Sequence, residues 1–181
     1  MCITKTTYRF SMTFILDTDR LYLRELQLSD APFIIELLNS AGWLKYIGDR
    51  NVRTIEEAEV YLKNGPLKSY AELGYGLSLV ALKSTNKSIG MCGLLKRDYL
   101  EYPDIGFAFL PEVMGNGYAL EITLALKQFA EVHRQINKLC AIVQTDNDRS
   151  IKLLKKLGLT FTSKIKSPQT NEMLELYSNG V

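Results

Sequence analysis

The chain has 181 residues, 46% of them hydrophobic and 23% charged, with a net charge of +2. That length suits one domain of ordinary size, and the composition is too apolar for a disordered chain. No apolar run approaches the ~20 residues of a membrane-crossing helix. The near-neutral charge balance gives no reason to expect a nucleic acid or an anionic membrane as partner.

Residues 1–16 read as an N-terminal arm outside the fold. Lys5 and Arg9 sit among apolar stretches too short and broken for a signal peptide, and Met12 is a second candidate start. A single domain is expected over residues 17–181. Residues 20–26 alternate as a strand should. Ser29 and Pro32 then open a helix whose apolar stripe is Phe33, Ile34, Leu37 and Leu38. Thr54 and Glu57 have capping-box spacing, so a second helix starts there and turns Ala58, Tyr61 and Leu62 inward. Pro66 interrupts it, and residues 67–73 add a further helical turn or two.

Residues 75–83 and 88–96 are strand-like, and Ser84 to Lys87 between them predict a hairpin turn. Residues 104–110 are the next strand. The longest helix follows over 117–133, with Tyr118, Ile122, Ala125, Leu126, Phe129 and Val132 on one face. Residues 139–143 read as a buried strand. Residues 147–157 read as a helix with Ile151, Leu154 and Leu157 inward, ended by Gly158. Two last strands, near 161–166 and 172–177, pair around Pro168. The strand–helix–strand unit from Asp104 to Val143 should be a right-handed parallel crossover. The expected fold is therefore α/β (α+β): a mixed, mostly antiparallel sheet of about six to seven strands, with one parallel β-α-β unit and flanking helices.

Several chemistries are set aside by scarcity. Cys2, Cys92 and Cys140 are far apart and odd in number, with no C-x-x-C pair, so neither a structural metal site nor a disulfide framework is expected. Reduced thiols in the cytoplasm are the simplest reading, with Cys140 packed in an apolar strand. The single histidine, His133, falls near the end of the long helix, where a surface or cap role suits it better than a triad.

The stretch from Leu110 to Ala119 joins a strand to the long helix through Gly115 and Gly117. Glycines let backbone N–H groups turn toward one point, and the helix N-terminus adds positive potential, so the loop suits a phosphate or pyrophosphate. It is not a P-loop, since no G-x-x-x-x-G-K-[ST] run exists. It is not the dinucleotide fingerprint either, because Leu120 stands where a third glycine is needed.

Residues 104–121, DIGFAFLPEVMGNGYALE, resemble the acetyl-CoA motif of the GNAT acyltransferase superfamily. Residues 147–159, NDRSIKLLKKLGL, resemble that family's N-x-x-S/A segment and its closing K-x-G-F. Residues 18–24, TDRLYLR, resemble the start of the branch that acetylates ribosomal-protein N-termini. The resemblance covers roughly residue 17 onward, and the two motifs occur in order and at a fitting separation. Three departures stand out. Glu112 replaces the common Gln or Arg and must point away from a pyrophosphate. Asn116 replaces a common Lys or Arg. Leu154 stands where many members carry an acidic Tyr.

The resemblance implies acyl transfer from acetyl-CoA, as co-substrate and without a metal, to an amine. The phosphates would lie on Val113, Met114, Gly115, Asn116, Gly117, Tyr118 and Ala119, with Asn147 and Arg149 nearby. Lys152, Lys155 and Lys156 would extend a basic cluster that is otherwise a solvated helix face. The pantetheine would run beside the strand ending at Phe109 and Leu110, whose N–H groups are candidates for the oxyanion hole. Ser150 is the candidate acid for the leaving thiolate, although a serine also suits a helix's first turn on capping grounds. Asp104 is the candidate base, directly or through a water, with Glu72 the second choice. Trp43, Tyr46, Tyr70 and Tyr75 fall where the acceptor groove would lie, or serve as core aromatics. The expected function is N-acetylation of a primary amine, a ribosomal-protein-like N-terminus first. A small-molecule amine (an antibiotic or polyamine) and a non-catalytic CoA-binding module are the alternatives. A cytoplasmic monomer or homodimer is expected.

Overall fold

The structure is a computed structural model that describes residues 14–168 and 170–180. Eight strands form a single sheet: β1 (Phe14–Asp17), β2 (Leu21–Arg24), β3 (Leu77–Leu82), β4 (Ser88–Leu95), β5 (Asp104–Phe109), β6 (Cys140–Gln144), β7 (Thr160–Lys166) and β8 (Met173–Ser178). Their spatial order is β1-β2-β3-β4-β5-β6-β8-β7, and only β5 and β6 run parallel. The strand count exceeds the expected six to seven because residues 14–16 of the supposed arm, with Asp17, pair antiparallel with β2. The rest of that arm, Cys2 and Met12 included, lies outside the described residues.

Six α-helices cover the sheet: α1 (Ala31–Leu38), α2 (Ala41–Tyr46), α3 (Ile55–Leu62), α4 (Lys68–Leu73), α5 (Tyr118–Arg134) and α6 (Asp148–Lys156). The Thr54 capping box forms as its spacing predicts. Thr54 Oγ accepts from the Glu57 N–H at 3.2 Å, and the Glu57 carboxylate accepts from the Thr54 N–H at 3.0 Å. Pro66 does not end the helical path. It lies buried in a π-helical turn, Lys63–Leu67, that joins α3 to α4, so the freed backbone group is accommodated by a wider turn.

Two apolar layers result. Helices α1 and α3, with Trp43 of α2, pack on one face through Leu79, Ala81, Met91 and Leu110. Helices α5 and α6 pack on the other through Val80, Ile89, Ile105 and Phe109. The alternation of buried residues along β3 and β4 places neighbours in opposite layers, as period-2 geometry requires. Arg24 at the end of β2 makes a two-pronged, buried contact with Asp30, 2.7 Å on each prong, tying the first helical segment to the sheet. Val132 departs from the expected apolar face of the long helix: it is 65% exposed, because it lies about 200° around the helix from the buried Ala130. His133 is exposed in the last turn of α5 and stacks on Phe129, consistent with a surface role. Among the described residues no helix is long and apolar enough to cross a membrane.

Candidate active site

The parallel pair β5–β6 holds at one register position only, Asp104↔Cys140. Beyond that point the two strands diverge and leave a wedge between them. Which backbone groups face the wedge follows from strand parity. The Leu110 N–H donates to Ile89 of β4 at 2.9 Å, and the Cys140 N–H donates to Pro103 at 3.0 Å. Alternate residues point to opposite neighbours, so Phe107 and Phe109 turn their N–H groups toward the wedge and Leu110 does not. Of the two candidates for the oxyanion hole, Phe109 faces the wedge and Leu110 does not. Leu110 spends its N–H on β4 and buries its side chain in the α1-side core, while Phe107 joins Phe109.

At the open end, the loop to α5 carries two left-handed glycines, Gly115 (φ +85°) and Gly117 (φ +81°). The N–H groups of residues 115 to 120 find no acceptor among the described residues. Six donors are therefore free where the helix dipole is positive. Val113 and Met114 are not among them: their N–H groups go to the carbonyls of Leu110 and Pro111 in a 3-10 turn. The donor set runs from Gly115, Asn116, Gly117, Tyr118 and Ala119 to Leu120, two residues later than expected at its start. Leu120 was available from the rule that a helix's first N–H groups lack internal partners. Glu112 points away from the loop, toward Lys87 at 3.4 Å.

The first turn of α6 faces this loop. Asn147 caps the helix, its Oδ1 accepting from the Ser150 N–H at 3.2 Å. Arg149 Nη1 lies 3.3 Å from Met114 Sδ, which spans the wedge from α6 to the loop. The half-buried Ser150 hydroxyl has no partner among the described residues. Lys152, Lys155 and Lys156 are exposed on α6. Leu154, at the position of the family's tyrosine acid, is 1% exposed and belongs to the core.

Asp104 is placed at the closed end of the wedge, 2% exposed. Its carboxylate accepts from Arg97 Nε at 2.6 Å and from the Ile142 N–H. Ile142 is the β6 residue whose N–H would have continued the parallel ladder, so this side chain occupies the first rung that β5 does not supply. Burial pushes the Asp104 carboxyl up, against the pull of Arg97 and the Ile142 N–H. The carboxylate expected as the base is thus buried and held by Arg97 and the Ile142 N–H. Neighbouring Cys140 is buried, and burial with the Asp104 charge pushes its thiol up to about 12. Glu72 is exposed on α4, 3.7 Å from Lys68.

The aromatic residues divide between roles. Trp43 is buried in the α1-side core, and Tyr75 packs against the α5-side core. Tyr70 accepts from the Leu26 N–H at 3.0 Å and donates to the Leu77 carbonyl, bracing β2 against β3. Tyr46 is half-buried beside the Lys45–Asp146 ion pair at 3.2 Å, whose Asp146 precedes the α6 cap. A cavity of about 920 Å³ opens between the α3–α4 segment and the end of β4, lined by Glu56, Tyr61, Lys68, Glu72, Leu95 and Lys96 among others.

A family model described as an acetyltransferase (GNAT) domain matches residues 20–160. The chain is 28% identical over 146 residues to the uncharacterized N-acetyltransferase YoaA of Bacillus subtilis, covering 80% of this chain and 81% of that one. It is 25% identical to YnaD of the same organism, also an uncharacterized N-acetyltransferase, over 88% and 92% of the two chains. Among solved structures, an acetyltransferase from Agrobacterium tumefaciens superposes with a TM-score of 0.77 at 21% identity, covering 98% of this chain and all (100%) of that one. The RimL ribosomal L7/L12 alpha-N-protein acetyltransferase in complex with coenzyme A gives 0.77 at 17% identity, covering 92% and 97%. At these identities the structural likeness speaks for the fold.

Proposed function

Because the chain belongs to the GNAT acetyltransferase family and is an N-acetyltransferase using acetyl-CoA, we propose that its acceptor is the free N-terminal amine of a protein. The observation that carries the cofactor side is the row of six unpartnered N–H groups, residues 115–120, at the mouth of an unzipped parallel strand pair. The pyrophosphate of acetyl-CoA lies on these donors, and Arg149 supplies charge from α6. The pantetheine runs down the wedge beside β5. The Phe107 and Phe109 N–H groups are the donors available to the oxyanion that develops on the thioester carbonyl. The amine nitrogen attacks that carbon to form a tetrahedral intermediate, whose ammonium gives its extra proton to solvent. The intermediate then collapses to the amide as the C–S bond breaks, and the Ser150 hydroxyl hydrogen-bonds the departing thiolate, which takes up a proton from solvent. No dedicated base is required when the acceptor is an N-terminal amine, whose pKa of ~7.7–8.0 leaves a reactive neutral fraction near pH 7. A lysine amine near ~10.4 would be almost wholly charged.

Support for a polypeptide acceptor comes from the open cavity beside β4, whose Leu95 pairs with Asp104 at the closed end of the wedge. Its lining mixes acidic side chains (Glu56, Glu57, Glu72, Asp98) with basic ones (Arg50, Lys68, Lys96), and its open form leaves room for a chain terminus. RimL, described as an alpha-N-protein acetyltransferase, shares the fold. The test is thiol release from acetyl-CoA over a panel of amines: peptides with free N-termini, the same peptides N-terminally blocked but containing lysine, polyamines and aminoglycosides. Release with free N-termini alone is expected. Release with polyamines or aminoglycosides and not with peptides would overturn the acceptor assignment.

A further inference from the structure

Asn116 leaves the cofactor loop with no basic side chain of its own between its glycines. A guanidinium nevertheless reaches it from a turn 96 residues earlier in the chain. Arg20, between β1 and β2, donates from Nη1 to the Asn116 carbonyl at 3.0 Å. Its Nε and Nη2 contact Glu121 Oε2 at 2.7 and 2.6 Å, and its Cζ lies 4.5 Å from the Tyr118 ring centre. Glu121 is itself fixed by the Thr18 hydroxyl at 2.6 Å and the Arg20 N–H at 3.1 Å. A Cβ built on Gly117 would stand 3.5 Å from Arg20 Nη2, so the cation borders the loop.

The consequence follows from peptide planarity. The carbonyl of residue 116 and the N–H of residue 117 belong to one rigid unit and point in opposite directions. A donor that draws the Asn116 carbonyl to one side sends the Gly117 N–H to the other. With a left-handed glycine on each side of Asn116, the unit rotates easily, so something must hold it. Arg20 does so with a charged donor whose own orientation is locked by Glu121 and Tyr118.

We propose that Arg20 is a positioning residue for the pyrophosphate of acetyl-CoA: it holds the Asn116 carbonyl back, turns the Gly117 N–H into the cradle and sets a fixed positive charge at its rim. This inference rests on the cofactor reading above and specifies what orders the loop. Phosphate-free donors should be indifferent to it, because they do not reach the loop.

The experiment measures CoA binding by calorimetry without acceptor, and steady-state kinetics with acetyl-CoA and with S-acetyl-pantetheine, which lacks the pyrophosphate. Arg20→Gln should weaken CoA by about tenfold or more and raise the KM for acetyl-CoA in step. Its kcat/KM for S-acetyl-pantetheine should stay within about twofold of the native value, a split that a general loss of structure would not produce. Arg20→Lys keeps the charge without the fork and should restore only part of the affinity. The double variant Arg20→Gln/Glu121→Gln removes the carboxylate that the single change leaves bare, and should remain weak. Native affinity in Arg20→Gln, full rescue by lysine, or recovery in the double variant would each overturn the proposal. Absence of CoA binding by the native protein would overturn the cofactor reading itself, which keeps the two failures apart.

Discussion

An alanine at Gly115 isolates the backbone of the cofactor loop from every other variable. Gly115 has φ +85°, and a Cβ built there meets nothing within 4 Å, so the substitution causes no collision. What it adds is the cost of a left-handed conformation for an L-residue, about 1–2 kcal/mol. In the free protein the peptide before Gly115 can relax from that conformation, since the Gly115 N–H holds no internal partner, while Arg20 keeps the Asn116 carbonyl. Binding must then restore it. At about 1.4 kcal/mol per factor of ten, CoA affinity should fall about five- to thirtyfold. Asparagine tolerates the left-handed region better than other residues, so Gly115→Asn should fall less, and Gly115→Val more than alanine. Calorimetric titration with CoA beside thermal melts reads both quantities. The expected pattern is a graded loss of affinity with small shifts in melting temperature. Native affinity in Gly115→Ala, or a lowered melting point with affinity untouched, would show that CoA does not use this backbone conformation.

Three other outcomes are expected. Ser150→Ala should lower kcat at least about tenfold with little change in the KM for acetyl-CoA. Its melting temperature should hardly move, because Asn147 caps through the Ser150 N–H and the hydroxyl is unpartnered; near-normal kcat would remove Ser150 from the chemistry. Asp104→Asn should act chiefly on stability, by about 3–5 kcal/mol, since it leaves the Arg97 guanidinium without its buried partner. A kcat loss of several orders of magnitude in a variant that melts like the native protein would restore Asp104 as a base. For Glu121, burial pushes the carboxyl up, but the Thr18 hydroxyl and Arg20 outweigh it and hold it below the ordinary value. The folded state therefore binds fewer protons than the unfolded one in that window, and the contribution to stability is present above the unfolded pKa of ~4.3 and lost as the pH falls through the folded value. Melts of native protein and Glu121→Gln should differ at neutral pH and converge in acid, whereas a constant gap would exclude the linkage.

Much of this protein is written in short stretches of its sequence. Thr54 and Glu57 cap a helix because their side chains reach backbone groups three residues away. Asn147 does the same, and Gly158, at φ +79°, follows the last turn of α6 as its residue type requires. Gly115 and Gly117 announce a left-handed loop before a long helix. Each of these depends on neighbours in the chain, which is why they were legible without a fold. The π-helical passage at Pro66 was not, since it depends on what packs against the helix. The same division runs through the site. The loop and Ser150 were visible as motifs. Which N–H groups face the wedge was not, because that parity is set when β4 takes Leu110 and Pro103 accepts Cys140. Asp104 read as a candidate base at the start of a strand, and tertiary structure placed its carboxylate on the Ile142 N–H at the point of divergence. Arg20 read as the start of a strand, and folding carried it across 96 residues to the Asn116 carbonyl. Local backbone preferences are properties of adjacent residues and survive in the sequence. Strand register, the side on which a backbone donor is spent, and the partner of a buried charge exist only once distant segments lie side by side.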